Sequence, residues 1–424
     1  MTGGSARVGL FGLLGSGNIG NDASMEAVLH YLKADHANAV IDAMCFGPEQ
    51  VRTTYGIDAV PLAWYTRYEL RASGIKANGL KVAGKVFDAF RIASWVRRHD
   101  VVIVPGMGVL ETTLPLRALG TPYEMFLLCA AGRLFGTKVA LVSVGANVIN
   151  QRLARWLCRS AARLAFYCSY RNASSLEAMQ SRHFGEPADK VYPDLAFAIP
   201  MPQAPPGDLR VVGVGVMDYH GSNDDRQRAT EIFESYFENI KSFILWLVDS
   251  GKTVRLFIGD TKGCDHEVVG RILTELRTDR PEMPAAQVSA VEASTFADMA
   301  AAMAPVGAVV ATRFHNVICA LRLCKPTISI GYGAKHDALM ADIGLPEFCQ
   351  RAAALDADQL VVQFKELESR ASELRTQIAE RNAVLAGQLA TQFAGLSSIL
   401  FPASAKSGQL PKARSSVPPG DTPP

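Results

Sequence analysis

The stretch 309–337 constrains this chain most, because strand, helix, strand, glycine loop and helix follow one another there without a break. Residues 308–311 and 326–330 are apolar runs of strand length, and Phe314, Val317, Ile318 and Leu321 between them recur at helical spacing. Thr312 is the expected N-cap, which places Arg313 and His315 in the first turn of the helix. Lys335 stands at the start of the next helix, after Gly331-Tyr332-Gly333. Cations are disfavoured at such positions, since the macrodipole and unpaired N–H groups already make that end positive. Either these side chains are solvated, or an anion sits between two helix N-termini at the ends of neighbouring strands. The repetition of the oddity favours the anion.

The same rhythm runs through the rest of the chain. A strand at 7–14 leads into Gly15-Ser16-Gly17-Asn18-Ile19-Gly20 and a helix over 21–33, with Asp42 near the end of the next strand. This satisfies the G-x-G-x-x-G dinucleotide fingerprint, yet the same glycines serve any ligand oxygen approaching a helix N-terminus, and no other segment supports a nicotinamide cofactor. A buried-type strand at 100–104 ends in Pro105-Gly106-Met107-Gly108, another at 138–144 ends in Gly145, and Arg171 opens a helix over 172–181. A short strand at 191–192 runs towards Asp194. A proline-rich break at 200–207 precedes a second set of βα units, and 356–399 has the core spacing of a long helix or helix pair. The expected fold is α/β: two Rossmann-like domains with parallel sheets facing a cleft, of GT-B type, with a long C-terminal helical segment. The expected divisions are 1–199, a linker at 200–209, 210–350, a helical segment at 351–402 and a disordered tail at 403–424.

Composition narrows the function classes. With 424 residues, 49% hydrophobic and 20% charged, the chain is globular, and a net charge of +2 gives no general nucleic-acid signal. The 8 cysteines show no ligand spacing, so no metal is expected and a reducing compartment is. The N-terminus does not resemble a secretory signal, and no uninterrupted apolar run reaches about 18 residues, so a cytoplasmic protein without a spanning helix is expected. Residues 46–98 interleave basic residues with Trp64, Tyr65, Tyr68, Phe87, Phe90 and Trp95. Such a segment either rests on an anionic membrane at the inner face or is a solvated helical face.

GSGNIGNDA, DVVIVPGMGVL, VSVGAN, SYRNASSLEAM, YPDLAF, ATRFHNVICALRLCKPTISI and GYGAKHDALMADIGL occur in this order. Together they resemble the polysaccharide pyruvyl transferase family over most of residues 7–345, RFH and GYGAKHDAL being the most specific pieces. The resemblance implies transfer of a pyruvyl group from phosphoenolpyruvate to a sugar of a cell-surface glycan or glycolipid, as a ketal, with release of phosphate and no further cofactor. Arg171 and Arg313 would then bind the donor's anionic groups with help from Lys335, guanidinium being suited to carboxylate and phosphate alike. His315 would protonate the methylene carbon, or act as one more phosphate donor. Asp194 and Asp22 are candidate bases for the sugar hydroxyl, with Glu111 behind them. The loops at Gly15, Gly17, Gly20, Gly106, Gly108, Gly331 and Gly333 would let backbone approach the ligands. Three departures from the family pattern, Asn21-Asp22, Met107 and Asn172, fall on the acceptor half, where the sugar and whether it is lipid-linked stay open. The alternatives are a GT-B glycosyltransferase using a nucleotide-sugar, a nicotinamide-dependent oxidoreductase, and a glycan-binding protein on a decayed scaffold.

Overall fold

Two separate parallel sheets organise the chain in the computed structural model, which describes residues 5–64, 75–111, 118–180, 190–202, 205–221 and 223–402. The first half contains β1 (Arg7–Gly12), α1 (Ile19–Asp35), β2 (Val40–Cys45), α2 (Pro48–Tyr55), β3 (Asp58–Pro61) and α3 (Ile75–Val96). It continues through β4 (Val101–Pro105), α4 (Thr121–Phe135), β5 (Lys138–Val144), α5 (Arg152–Leu164), β6 (Tyr167–Tyr170), α6 (Ala173–Gln180) and β7 (Lys190–Val191). These strands lie in the order β3-β2-β1-β4-β5-β6-β7. The second half contains β8 (Asp208–Gly215), α7 (Ala229–Asp249), β9 (Thr253–Phe257), α8 (Asp265–Asp279), β10 (Val288–Ala290) and α9 (Phe296–Met303). β11 (Val306–Ala311), α10 (Phe314–Arg322), β12 (Thr327–Gly331), α11 (Ala334–Ile343) and β13 (Cys349–Arg351) complete it, in the order β10-β9-β8-β11-β12-β13. The central strands β4, β11 and β12 are buried along their whole length, as near-continuous apolar runs must be when helices cover both faces. In each sheet the order reverses once, between β1 and β4 and between β8 and β11, and loops at such reversals form crevices.

Three ties between the two halves stand out among the described residues. α12 (Ala357–Ser369) and α13 (Ala371–Leu400) close the chain, and α13 crosses from one sheet to the other. Near its start Asn382 donates to the Leu321 carbonyl (2.7 Å); further on Gln392 donates to Ser169 Oγ (2.9 Å) and accepts from Ser143 Oγ (3.1 Å). Ser143 sits at a register shift in β5 with φ +51°, so the last helix holds an irregular backbone of the first sheet. Lys325, fully buried, donates to the carbonyls of Pro205, Pro206 and Ala304, which fixes the proline-rich linker against the second sheet. The glycine loop after β1 makes the third tie: Ile19 N–H donates to the Gly259 carbonyl and Thr261 N–H to the Gly17 carbonyl.

Some expectations change. The helix after β11 is capped at Arg313, in extended conformation, whereas the Thr312 hydroxyl turns inward to Tyr236 Oη at 2.7 Å. α13 is long and apolar enough, by length and composition alone, to cross a membrane, although it holds no uninterrupted apolar run. Its leucines at 374, 385, 389, 396 and 400 are nevertheless buried along one face. Tyr65, Arg67, Tyr68 and Arg71, the side chains of Lys76 and Lys81, and the expected tail at 403–424 lie outside the described residues.

Candidate active site

β11 and β12 are parallel neighbours, so the N-termini of α10 and α11 emerge side by side at their C-terminal ends. Facing them from the first sheet are the ends of β4, β5 and β6, which carry Glu111, Gly145 and Arg171, and the turn at Asp194. Between the two sets lies a cavity of about 290 Å³ lined by Arg171, Asn172, Asp194, Phe314, Lys335 and the α13 residues Arg381 and Gln388, among others.

Phe314 is the hub. The Arg171 guanidinium lies 5.7 Å and Lys335 Nζ 5.2 Å from its ring centroid, and the His336 ring packs edge-on at 5.1 Å. Arg171, nearly buried, donates through Nη2 to Glu111 Oε1, and its Nη1 is 3.7 Å from Asp194 Oδ2. His315 Nε2 is also 3.7 Å from that oxygen. These separations give Coulombic attraction but are too long for hydrogen bonds. Asp194 is oriented by its other oxygen, which accepts from Ala196 N–H at 3.0 Å. Accordingly Arg171 Nε, Asp194 Oδ2, His315 Nε2 and His336 Nε2 are buried polar atoms without hydrogen-bond partners, as are both side-chain atoms of Asn316. Such a concentration is costly in an unliganded core and is expected where a ligand completes the bonding.

Charge follows from this geometry. Burial pushes the Asp194 carboxyl up, but His315, Arg171 and the Ala196 N–H outweigh it and hold the group below the usual carboxylate range. Burial likewise opposes ionisation of Glu111, and Arg171 and Lys335 overcome it. His336 is pushed far down, first by burial and then by Lys335, His315 and Arg171, so it is a neutral ring whose Nδ1 is bonded to Ser329 Oγ at 2.8 Å. It was not anticipated from the sequence, where a histidine after a lysine at a helix start carries no burial signal.

Several glycines are explained by close approach. A Cβ on Gly145 would lie 2.3 Å from Glu111 Oε1 and 2.6 Å from Arg171 Nη2, and one on Gly108 would lie 2.7 Å from Glu111 Oε2. A Cβ on Gly106 would meet Ser24, one on Gly331 would meet His336, and one on Gly20 would sit 1.8 Å from His315 Nδ1. Gly333 faces open space and has extended φ, so nothing in the structure requires glycine there.

Not all candidates meet in the cavity: His315 stands behind Asp194 and is not among the lining residues. Arg313 donates through Nε (2.8 Å) and Nη2 (2.6 Å) to Asp265, a fully buried carboxylate, which leaves Nη1 outside that pair. Asp265 also accepts from the N–H groups of Asp218, Gly259 and Asp260, so Arg313 braces the loop that receives the glycine loop of the first half. Asp22 does not face the cavity: its Oδ1 accepts from Gly15 N–H at 2.7 Å, beneath its own loop. Asn172, in place of an acid, accepts from Ser175 N–H at 2.8 Å and caps α6.

The dinucleotide reading of residues 15–20 is displaced by the same contacts. Gly15 N–H goes to Asp22, Ile19 N–H to the Gly259 carbonyl and Gly20 N–H to Asn18 Oδ1. The Lys262 side chain lies over Gly17 and donates to the Gly15 carbonyl at 2.9 Å. Asp42, which would have met a ribose, sits in the first half of β2 and accepts from Trp95 Nε1 at 2.8 Å. The loop is a docking surface for the second half of the chain.

No curated protein sequence matches the chain. Among solved structures, a glycosyltransferase from Rickettsia africae ESF-5 superposes with a TM-score of 0.57 at 11% identity, covering 94% of this chain and 99% of that one. The UDP-GlcNAc 2-epimerase of Methanocaldococcus jannaschii gives 0.55 at 9% identity, covering 85% and 92%. That of Neisseria meningitidis, bound to UDP-GlcNAc, gives 0.53 at 12% identity, covering 91% and 99%. At these identities the likeness establishes the two-domain GT-B fold and nothing of the chemistry. The family model for polysaccharide pyruvyl transferase matches residues 18–334, a span that begins in the glycine loop and takes in Glu111, Arg171, Asp194, Arg313 and His315. With most of its length matched, the chain belongs to the polysaccharide pyruvyl transferase family.

Proposed function

We propose that this protein transfers a pyruvyl group from phosphoenolpyruvate to a sugar of a cell-surface glycan or glycolipid as a ketal, releasing phosphate. The observation that carries the reading is the set of buried, unpartnered polar atoms on Arg171, Asp194 and His315, gathered where Lys335 and two helix N-termini already favour an anion. A cavity of about 290 Å³ is also at the small end of ligand pockets, which run from roughly 300 to 1,000 Å³. That suits a small phosphorylated acid better than a nucleotide-sugar.

In this reading His315 gives a proton to the donor's methylene carbon, leaving an oxocarbenium-like centre at the adjacent carbon. One sugar hydroxyl adds there and loses its proton; the bond to the phosphate oxygen breaks; a second hydroxyl adds and loses its proton. Of the two hydroxyl protons, one restores the acid and the other is carried off by phosphate, so the balance closes. Lys335 and Arg171 meet the charge that grows on the departing phosphate. Asp194, held ionised, lies 3.7 Å from Nε2 of the imidazole and serves as its orienting anion.

A thermal-shift titration with phosphoenolpyruvate, UDP-glucose, GDP-mannose and NADH tests the donor, repeated on Lys335→Ala, a change at the cavity rim. Stabilisation by phosphoenolpyruvate alone, weakened in the variant, is the expected result. A response to a nucleotide-sugar in its place would convert the reading to glycosyl transfer.

A further inference from the structure

α3, α4 and α5 connect successive strands in the same direction across the first sheet, so right-handed crossovers put all three on one face, with α4 packed against both neighbours. α1 lies on the opposite face, where Tyr31 stacks on Phe393 of α13. The outer side of the three-helix layer combines two properties that soluble surfaces keep apart. Large apolar side chains are bare: Leu134 is 76% exposed, Phe90 71%, Trp156 54% and Leu153 53%. Val86, Phe87 and Val148 add to them, and the Trp156 ring rests on Phe126 of α4 at 5.3 Å, joining two of the helices into one apolar surface.

The charge is equally one-sided. α5 carries Arg152, Arg155, Arg159 and Arg163 and no acid, and it alternates them with Leu153 and Trp156 around a buried face of Ala154, Leu157, Cys158 and Ala161. The acids on the described side chains of α3 and on α4 are Asp88 and Glu124, both buried and paired with Arg91 and Lys85. The whole chain has a net charge of only +2, so this face is basic by arrangement and not by composition.

We infer that the α3–α4–α5 face docks the protein on an anionic lipid surface. An apolar patch alone could receive a protein, but bare tryptophan, leucine and phenylalanine interleaved with arginine, with the acids of α3 and α4 withdrawn into the interior, match an interface of acyl chains beneath anionic headgroups. The sequence suggested this role for residues 46–98; the structure moves its centre. Trp95 and Arg91 of that segment turn to Asp42 and to the Pro61 carbonyl, and α5, which no composition bias marked, carries four arginines and no acid, Arg155 among them donating to the Ile149 carbonyl.

Co-sedimentation of the full chain with vesicles tests the assignment without reference to catalysis, so it stands or falls separately from the proposed donor. Binding is expected to vesicles containing phosphatidylglycerol at low salt, to be weak on phosphatidylcholine alone, and to fall as added salt shortens the screening length. Each cation near such a surface raises partitioning roughly fivefold, so Arg133→Glu with Arg152→Glu should lower it by well over tenfold. Leu153→Ser with Trp156→Ser should also reduce it, while Val362→Ser with Val384→Ser, exposed elsewhere, should not. Circular dichroism confirms that each variant is folded. Absence of binding to anionic vesicles, equal binding to neutral ones, or binding that survives the α4–α5 variants would overturn the proposal. So would sedimentation velocity showing that the same variants abolish a dimer, which would give the face to a second copy of the chain.

Discussion

Gly20 gives the sharpest access to the proposed acid. It lies in the first turn of α1, where a β-carbon would normally be welcome: alanine in place of glycine in a helix gains about 1 kcal/mol. Here that carbon would stand 1.8 Å from Nδ1, 2.2 Å from Cε1 and 2.4 Å from Cγ of His315. Non-bonded carbon contacts settle at roughly 3.5–4.0 Å, so the ring must retreat by more than about 1.5 Å. Its Nε2 is not hydrogen-bonded, so the displacement gives up the 3.7 Å attraction to Asp194 and the edge-on contact with Phe314 but breaks no hydrogen bond there. Gly20→Ala should therefore remain folded but lose turnover, and a displacement of ~1 Å at a reacting group costs on the order of 100-fold.

The assay is acceptor-dependent phosphate release, with thermal melts alongside. Gly20→Ala is expected to melt near the parent temperature and to turn over about 100 times more slowly, with donor affinity changed far less. In Gly20→Ala/His315→Ala the clash is gone, so the second variant's melt should equal or exceed that of His315→Ala, by the helix gain. Parent-level turnover in a folded Gly20→Ala would refute the placement of His315 in the chemistry. A loss of stability that His315→Ala fails to relieve would refute the contact itself.

Asp22→Asn separates burial from catalysis. Burial raises the Asp22 carboxyl to about 6, against the Gly15 N–H and Lys262, so between about 4 and 6 the folded state binds more protons than the unfolded one. Stability from this group is present at low pH and lost as pH rises through 6; the asparagine variant should be roughly 2–3 kcal/mol more stable than the parent at pH 8 in urea melts, with no advantage at pH 4. It should also keep turnover, and its inactivation would restore Asp22 as a base. Arg313→Ala should lower stability by about 3 kcal/mol, because it strips a bidentate partner from a buried carboxylate that three backbone N–H groups still serve. Asp265→Asn in the same chain should recover much of that loss, and a single variant as stable as the parent would leave Arg313 free to be a donor ligand.

Local periodicity carried the fold, and long-range pairing decided the site. Runs such as 101–105 and 306–311 are apolar throughout because both faces of each sheet are covered, so strands, helices and their alternation could be read directly. The grouping of Arg171, Asp194 and Lys335 around the cavity, with His315 behind Asp194, was legible for a related reason, as each follows a strand and must lie at the same end of its sheet. What could not be read was which charge each cation already serves. Arg313 and His315 look alike as cations at a helix start, yet one is bound to Asp265, 48 residues earlier in the chain, and the other has no hydrogen bond at Nε2 and only Asp194 at 3.7 Å. Asp22 looked like a base beside a phosphate loop, and only the contact of Gly17 and Ile19 with residues 259–262 shows that loop to be an interface. Lys325 gave no sign of being buried, because its partners are carbonyls.

The cavity's own charges bear on how it receives a donor. Arg171 is offset by Glu111 and Asp194, so an incoming phosphate or carboxylate meets Lys335 and the helix N-termini before it meets an unoccupied guanidinium. Arg171 and Lys335 overcome the burial of Glu111 and hold its carboxyl below the usual range. An anionic donor that takes either cation removes that support and leaves a mostly buried carboxylate whose desolvation favours the neutral form. Binding should then draw a proton from solvent. Calorimetric titration with phosphoenolpyruvate at pH 7 in two buffers of different ionisation enthalpy measures that uptake directly, and Glu111→Gln should abolish it while tightening or preserving affinity. An observed enthalpy independent of buffer would mean that Glu111 keeps its cations in the complex, and that the donor is held by groups other than Arg171 and Lys335.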